Sequence, residues 1–284
     1  MKPLYILFLI VGYFSVLLFI SFITGKKADN NTFFKANNSS PWYLVAFGMI
    51  GASLSGVTFI SVPGWVEDQS MSYMQMVLGY VVGYAVIGLI LLPLYYRLNL
   101  TSIYTYLEDR FGRYSYKTGA SFFLLSRTIG AAFRLFLVAN VLQLLVFDEF
   151  GIPFWLTVTI TILLIWGYTF KGGIKTIVWT DTLQTLFMLV AVGVCIYTIS
   201  DEMNISNIFT YVADSDLSKT FFFEDYKAGN YFWKRFFSGA FIAIVMTGLD
   251  QDMMQKNLSC KNLKDAQKNM FWFTIVLVIV NFFF

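Results

Sequence analysis

The sequence predicts an all-α integral membrane protein. Hydrophobic residues make up 57% of its 284 residues and charged residues only 13%, and 31 positions are Phe. A soluble domain of this length could not hide that much apolar surface in its core. Apolar stretches of about 20 residues, the length that crosses a bilayer as a helix, recur along the whole chain. We therefore expect a multi-pass helical protein surrounded by the lipid bilayer.

Eight apolar segments are predicted to be spans, with no independent soluble domain between them. They lie at 3 to 24, 41 to 65, 73 to 98, 119 to 147, 153 to 170, 176 to 199, 232 to 249 and 270 onward. The first is too long for a signal peptide, and Lys26 and Lys27 after it mark a stop-transfer flank. The last, NMFWFTIVLVIVNFFF, is still fully apolar where the sequence stops. We expect the chain to be a fragment that ends inside a helix.

Three connecting segments differ in composition from the spans. Ser40-Pro41 suits the start of the second span. Residues 101 to 119, TSIYTYLEDRFGRYSYKTG, fit either a short amphipathic helix at the inner surface or a plain solvated connector. Residues 200 to 231 are rich in Asp, Asn and Ser and are predicted to be the longest external segment, with room for a short helix.

The distribution of positive charge predicts the orientation of the chain. With the N-terminus outside, thirteen Lys and Arg residues fall in inner segments and five in outer ones. This follows the positive-inside rule. We expect a multi-pass protein of the cell inner (plasma) membrane with its N-terminus outside. The net charge of +3 reports topology, and the sequence carries no footprint of nucleic-acid binding.

The residue inventory argues against an enzyme. The sequence contains no His, so every mechanism based on histidine is excluded for this chain. Cys195 and Cys260, its two cysteines, are far apart and give neither a disulfide framework nor metal-ligand spacing. No convincing pair of nucleophile and base is found. We expect no catalysis and no organic cofactor.

A stretch rich in small and hydroxyl residues interrupts the second span. Residues 47 to 61 read FGMIGASLSGVTFIS, in which Gly51, Ser53, Ser55 and Gly56 together lower helix propensity. Irregular backbone at membrane depth survives only where it is buried in protein or lines a wet cavity. A break here would turn carbonyl groups toward a cation and a helix amino end toward an anion. The alternative is that the small residues let two helices pack closely.

Two charged residues inside predicted spans are candidate functional groups. Arg134 lies roughly 20 Å along span four at ~1.5 Å per residue, near the middle of the bilayer. A lone charge there costs at least ~2.5 kcal/mol, so it either pairs with another span or binds a ligand carboxylate with its guanidinium fork. Asp181, near the inner end of span six, could attract a departing cation, carry a proton, or cap a helix that opens at Thr176 or Thr180.

Two longer motifs resemble the signature regions of the sodium:solute symporter family. They are GGIKTIVWTDTLQ (172 to 184) and TGLDQDMMQKNLSCKNLKDAQKN (247 to 269), and GASLSG in span two is similar to the first core helix of that family. The resemblance implies a LeuT-type inverted-repeat transporter fold, of which this chain is the N-terminal part. It divides a single transmembrane domain into an extra helix with an inner loop (1 to 40), the first five-helix repeat (41 to 200), an external loop (201 to 231) and the start of the second repeat (232 to 284).

The resemblance also implies how a coupling sodium ion is bound. The carbonyl groups of Gly51 and Leu54 correspond to sodium ligands of the family, and the remaining hydroxyl ligands come from a later helix beyond this chain. Asp181 matches the carboxylate of the family's WTD motif, which is associated with a second ion site or with inward ion release. Sodium is therefore the expected coupling ion.

The expected activity is sodium-coupled uptake of a small organic solute by alternating access. LSGVTFISVPG (54 to 64) looks closest to bacterial sialic-acid symporters, which implies that Ser55 and Thr58 hydrogen-bond a solute whose carboxylate pairs with Arg134. Ser53, where proline-type members carry Asp, is included among the solute-binding candidates. The alternatives are a symporter for a neutral sugar or another solute, and a transporter-like sensing domain of a signalling protein.

Overall fold

The computed structural model describes residues 3–24, 36, 39–54, 56–100, 102–170 and 173–284, and this part of the chain is helical. The helices are α1 (Pro3–Thr24), α2 (Trp42–Ser53), α3 (Gly56–Gln69), α4 (Tyr73–Val86), α5 (Leu92–Arg97), α6 (Thr105–Phe111), α7 (Arg113–Leu142), α8 (Phe154–Thr169), α9 (Gly173–Glu202), α10 (Ile208–Ala213), α11 (Phe232–Ala243), α12 (Gln251–Leu258) and α13 (Leu263–Phe283). Single wider turns of π type extend α4, α7 and α11, at Ile87–Leu91, Gln143–Phe147 and Ile244–Gly248.

The predicted spans are helical, but they are not eight equal rods. By length and composition, five continuous helical stretches in the described residues can cross a membrane, or six if one bent pair is counted as a span. The expected span at 41–65 is divided into α2 and α3, and the one at 153–170 is a helix of only 16 residues. The segment 101–119 contains the short helix α6, and the segment 200–231 contains α10.

The described helices group into two compact units. The first consists of residues 1–37 and 101–180, and the second of residues 38–100 and 181–284. The boundary falls within α9, between Thr180 and Asp181. Each predicted ion ligand therefore belongs to the second unit, whereas Arg134 belongs to the first.

Hydroxyl and amide groups, buried at Thr157 and Thr176 and half-buried at Thr24 and Gln143, join the helices of the first unit. The hydroxyl groups of Thr24 on α1 and Thr176 on α9 are hydrogen-bonded at 2.6 Å. Gln143, directly after α7, donates from Nε2 to the carbonyl oxygen of Ile152 at 2.7 Å and accepts from the hydroxyl of Thr157 at 2.5 Å. Because buried polar groups are costly unless they are paired, these bonds fix the connection from α7 to α8.

The core of the second unit is built on a close crossing of α4 and α11. A Cβ atom on Gly79 would collide with the carbonyl oxygen of Phe236, and a Cβ atom on Gly239 would collide with that of Met76. Small residues let helix backbones approach to this distance within a membrane. α13 packs against α4 through an edge-on contact between the rings of Tyr84 and Phe273, whose centroids are 5.0 Å apart. This framework holds α2, α9 and α12 around the candidate site.

Candidate functional site

The second span is broken at the position that its sequence predicts. α2 ends at Ser53, Leu54 has extended backbone angles (φ −95°, ψ 128°), and α3 begins at Gly56. The amide of Leu54 still donates to the carbonyl of Ile50, at 2.7 Å. The last carbonyl groups of a helix have no i+4 donor within it, so a break exposes backbone oxygens that an ion can use. The prediction of a break in residues 47–61 is confirmed.

The break packs against protein on one side. Leu54 is buried together with Met49 and Ile50, whereas Gly51 and Ser53 are half-buried. Irregular backbone is tolerated at membrane depth under this condition. Gly51 also permits a close helix approach, because a Cβ atom there would meet the hydroxyl of Thr185 on α9. The two interpretations of the small residues therefore both apply to this segment.

A chain of hydrogen bonds connects the break to α9. The amide of Gly51 donates to Oγ1 of Thr185 at 3.0 Å, and this hydroxyl donates to the backbone carbonyl of Asp181 at 2.7 Å. The side chain of Thr185 is fully buried. A second threonine, Thr182, donates from its hydroxyl to the carbonyl of Leu44 on α2 at 3.2 Å. The position of α2 at its broken end thus depends on the turn of α9 that carries Asp181.

The Asp181 carboxylate forms an ion pair with Lys256. Its Oδ2 atom lies 2.7 Å from Nζ of Lys256, and the two side chains are only 17% and 6% exposed. Asp181 is well inside α9, which begins at Gly173, so the interpretation of Asp181 as a helix cap is wrong. Removing two charges from water is expensive unless they pair. In this conformation the ammonium of Lys256 is paired with the carboxylate that the family resemblance assigns to sodium binding.

A bend in the chain brings Lys256 to this position. The helical stretch Phe232–Gly248 and α12 meet at 67°, and the side chain of Asp250 caps α12 by accepting from the amide of Met253 at 3.1 Å. Lys256 is one of the thirteen basic residues that the charge distribution assigns to the inner segments, but the structure places it, buried, on α12. The sequence does contain a signal for this position of Lys256. Met253 and Lys256 are three residues apart, and residues at i and i+3 share a helix face, so Lys256 lies on the same face as an apolar residue. Both residues are buried.

The predicted solute-binding residues are distributed over both units. Ser53 and Thr58 are half-buried on either side of the break, and Ser55 lies outside the described residues. Arg134 is exposed in the first unit, towards the C-terminal part of α7. Among the described residues no hydrogen-bond or ion-pair partner of Arg134 is found, so the predicted pairing with another span is not observed there.

An apolar cavity of about 840 Å³ lies elsewhere in the second unit. Its walls come from α3, α9, α10 and the end of α13, with Val66, Leu189 and Phe283 as representative residues. None of the predicted ion or solute ligands within the described residues lines it. The cavity walls are mainly apolar, and the buried Asp181–Lys256 pair is not part of them.

Comparison with known proteins agrees with this architecture. The profile of the sodium:solute symporter family matches residues 33–284. The human sodium/iodide cotransporter is 24% identical over 263 residues, which are 88% of this chain and 39% of that protein. The sodium/sialic acid symporter NanT of Aliivibrio fischeri is 26% identical over 272 residues, 91% of this chain and 51% of that protein. The chain thus spans about half, or less, of the length of these relatives.

A solved structure shows the same fold. It is described as the substrate-bound outward-open state of a Na⁺-coupled sialic acid symporter, and it matches with a TM-score of 0.82 at 22% sequence identity. The match covers 96% of this chain and 58% of that one. The predicted LeuT-type fold is confirmed. With the family profile matching nearly all of its length, the chain belongs to the sodium:solute symporter family.

Proposed function

We propose that the protein uses the sodium gradient to take up a small organic solute by alternating access. The observation that carries this proposal is the break of the second span at Leu54, which supplies backbone oxygens at membrane depth. One charge that crosses ~100 mV contributes about 2.3 kcal/mol, enough for roughly fifty-fold accumulation. Two coupled ions would square this factor. Membership of the sodium:solute symporter family supports the same activity.

In this proposal the carbonyl groups of Gly51 and Leu54 bind one sodium ion. A hard monovalent cation prefers oxygen ligands, and these two carbonyls bracket the last residues before the break. Their position is coupled to α9, because the amide of Gly51 is hydrogen-bonded to Thr185. Hydroxyl groups from a part of the protein outside this chain would complete the site. Sodium binding would then fix the angle between α2 and α3.

Asp181 would bind sodium only when Lys256 has moved away. Sodium and the ammonium of Lys256 are both cations that would bind the same carboxylate. Because the ammonium lies 2.7 Å from the carboxylate oxygen, no ion fits between these two groups. The described conformation then corresponds to a state in which no sodium ion is held by Asp181. Departure of sodium and return of Lys256 would be two halves of one exchange, which keeps the carboxylate neutralised in a site of low polarity.

The solute is proposed to carry a carboxylate, as sialic acid does. Two sialic acid symporters among the matched proteins support this class. Ser53, Ser55 and Thr58 would donate hydrogen bonds from the broken span, and Arg134 would neutralise the carboxylate. The charge distribution supports an N-terminus on the outer side of the plasma membrane. The transport direction is inward because the sodium gradient is directed inward.

Sodium coupling can be measured directly in proteoliposomes that contain the full-length protein. We expect uptake of labelled sialic acid under an inward sodium gradient to exceed uptake under an equal potassium gradient by at least about tenfold, because only sodium supplies the driving energy. Collapsing the gradient with a sodium ionophore should abolish the difference. Equal uptake in sodium and potassium would contradict the proposed coupling.

Arg134→Ala tests the carboxylate assignment. We expect the KM for the anionic solute to rise at least about tenfold, because a charge-assisted bidentate pair is lost, while sodium binding stays intact. Arg127→Ala is the matched control, since it removes the same group from the same helix seven residues earlier. An unchanged KM in Arg134→Ala would show that another group reads the carboxylate.

A further inference from the structure

A cluster of hydrogen-bond donors joins the end of α3 to the start of α11. Arg235 donates from Nη2 to Oε1 of Gln69 and from Nε to the carbonyl of Gly229, the latter at 3.0 Å. Its guanidinium also covers the ring of Trp65, with Cζ 5.3 Å from the ring centroid. These contacts fix the plane of the guanidinium on the side of the protein that the charge distribution predicts to be outer.

Each contact of Arg235 within the described residues is with a neutral group. A guanidinium has five N–H donors, and these two bonds use only two of them. The Nε2 amide of Gln69 and the indole N–H of Trp65 are further donors with no acceptor among the described residues. Trp65 is 41% exposed among the described residues. The remaining N–H groups of the cluster therefore have no acceptor within the part of the chain that the structure describes.

Two positive charges lie on the α11 side of this cluster. Arg235 and Lys234 are in the first turn of α11, which has no acidic residue to balance the positive end of the helix. The ammonium of Lys234 donates to the carbonyl oxygens of Lys227 and Ala228. Of the carboxylates in this region, Glu224 pairs with Lys219 at 2.9 Å. Glu67 and Asp68 lie between Trp65 and Gln69 on α3, and no ion pair joins either of them to Arg235 among the described residues.

We propose that Arg235, Gln69 and Trp65 form an anion-recognition site that receives a carboxylate before it reaches the broken span. The remaining N–H groups of Arg235 bind the two carboxylate oxygens, the amide of Gln69 adds a third donor, and Trp65 holds the guanidinium plane. The site deepens the proposed function, on which its place along the uptake route rests. It joins α3, the outer half of the broken span, to α11, so an anion bound there touches both elements.

A sodium-free titration tests the site without any transport. The purified full-length protein is titrated with potassium acetate at constant ionic strength set by potassium chloride, and tryptophan emission is recorded. We expect a saturable change that disappears in Trp65→Phe, and a dissociation constant for acetate at least about tenfold higher in Arg235→Gln. Arg235→Lys should be intermediate, because an ammonium keeps the charge but lacks the fork.

Lys219→Gln is the matched control, since it removes one positive charge from the external segment before α11, at a residue already paired with Glu224. We expect its acetate titration to match that of the unmodified protein. A normal titration in Arg235→Gln, or equal weakening in Lys219→Gln, would overturn the site. Comparable melting temperatures for all variants exclude misfolding as the cause.

Uptake measurements then separate this site from the coupling mechanism. For an anionic solute, Arg235→Gln should raise KM by about tenfold with the maximal rate unchanged, because the site acts on capture and not on translocation. Since the titration contains no sodium, loss of sodium dependence would refute the proposed transport while leaving the anion site intact. The reverse pattern, sodium-driven uptake with no acetate binding, would refute the anion site alone.

Discussion

Asp181→Asn is expected to reduce sodium-driven uptake to background, a loss of at least about a hundredfold. Asparagine has no negative charge with which to attract a cation, and it removes the counter-charge of the buried Lys256 ammonium that Asp181 supplies. Removing one partner of a buried ion pair costs about 3–5 kcal/mol, and about 1.4 kcal/mol corresponds to a tenfold change. The measurements are initial uptake rates in proteoliposomes and the melting temperature in detergent.

Two further variants separate the ion-binding role of the pair from its structural role. Lys256→Met removes the competing cation and should increase the apparent affinity for sodium, while lowering stability because the carboxylate loses its partner. The double variant Asp181→Asn/Lys256→Met should regain most of the melting temperature, since a buried pair can be replaced by neutral groups at little cost. It should remain inactive in uptake. Recovery of uptake in the double variant would show that the Asp181–Lys256 pair has a structural role and no role in ion binding.

The proposed exchange of Lys256 for sodium at Asp181 also predicts a change in the sodium dependence of uptake. In Lys256→Met the sodium concentration for half-maximal uptake should fall by several-fold, because no internal cation competes for Asp181. An unchanged sodium dependence would contradict the exchange, even if Asp181 itself proves necessary. Lys264→Met, on the exposed first turn of α13, is a suitable control for the loss of a positive charge.

Gly51→Ala is expected to reduce sodium-driven uptake by at least about tenfold. The added Cβ atom would meet the hydroxyl of Thr185 and lie 3.2 Å from its Cβ atom, so α2 or α9 would have to move. Overpacking of this kind costs about 1–3 kcal/mol. The shift would also break the bond between the amide of Gly51 and Thr185, which positions the carbonyls at the break. The readouts are uptake rate and the sodium concentration for half-maximal uptake.

Gly64→Ala is the matched control for this substitution. Gly64 lies on α3, and a Cβ atom there has no described atom within 4 Å. The same chemical change should therefore leave uptake unaffected. Thr185→Ala combined with Gly51→Ala removes the colliding hydroxyl and should recover part of the activity. Normal sodium dependence in Gly51→Ala would mean that the close contact with α9 does not set the geometry of the break.

The variants at Asp181 and Lys256 and those at Gly51 and Thr185 change the same network of hydrogen bonds. The amide of Gly51, the hydroxyl of Thr185 and the backbone of Asp181 form a continuous chain of hydrogen bonds, and the Asp181 side chain continues it to Lys256 on α12. A movement of α12 that withdraws Lys256 can therefore be transmitted through α9 to the broken end of α2. This gives a physical route by which an ion at Asp181 and the carbonyls at the break respond to each other.

Local features of the fold were predictable because they depend on local composition. Runs of apolar residues located the helices, and the small and hydroxyl residues around Gly51 and Ser53 located the break, since both effects act within a few residues of the chain. The exception is the segment 153–170, whose helix is shorter than the apolar run indicated. Arg134 and Asp181 could be singled out as costly charges, but their partners could not be derived.

What the sequence by itself determined is the helical membrane class, the place where the second span comes apart, and the resemblance that pointed to a symporter. Only the tertiary structure decided that Asp181 faces Lys256, 75 residues away, and that Gly51 rests on Thr185, 134 residues away. The reason is physical. Helix formation and its interruption follow from neighbouring residues, whereas the partner of a buried charge or amide depends on which helices pack together and at what angle.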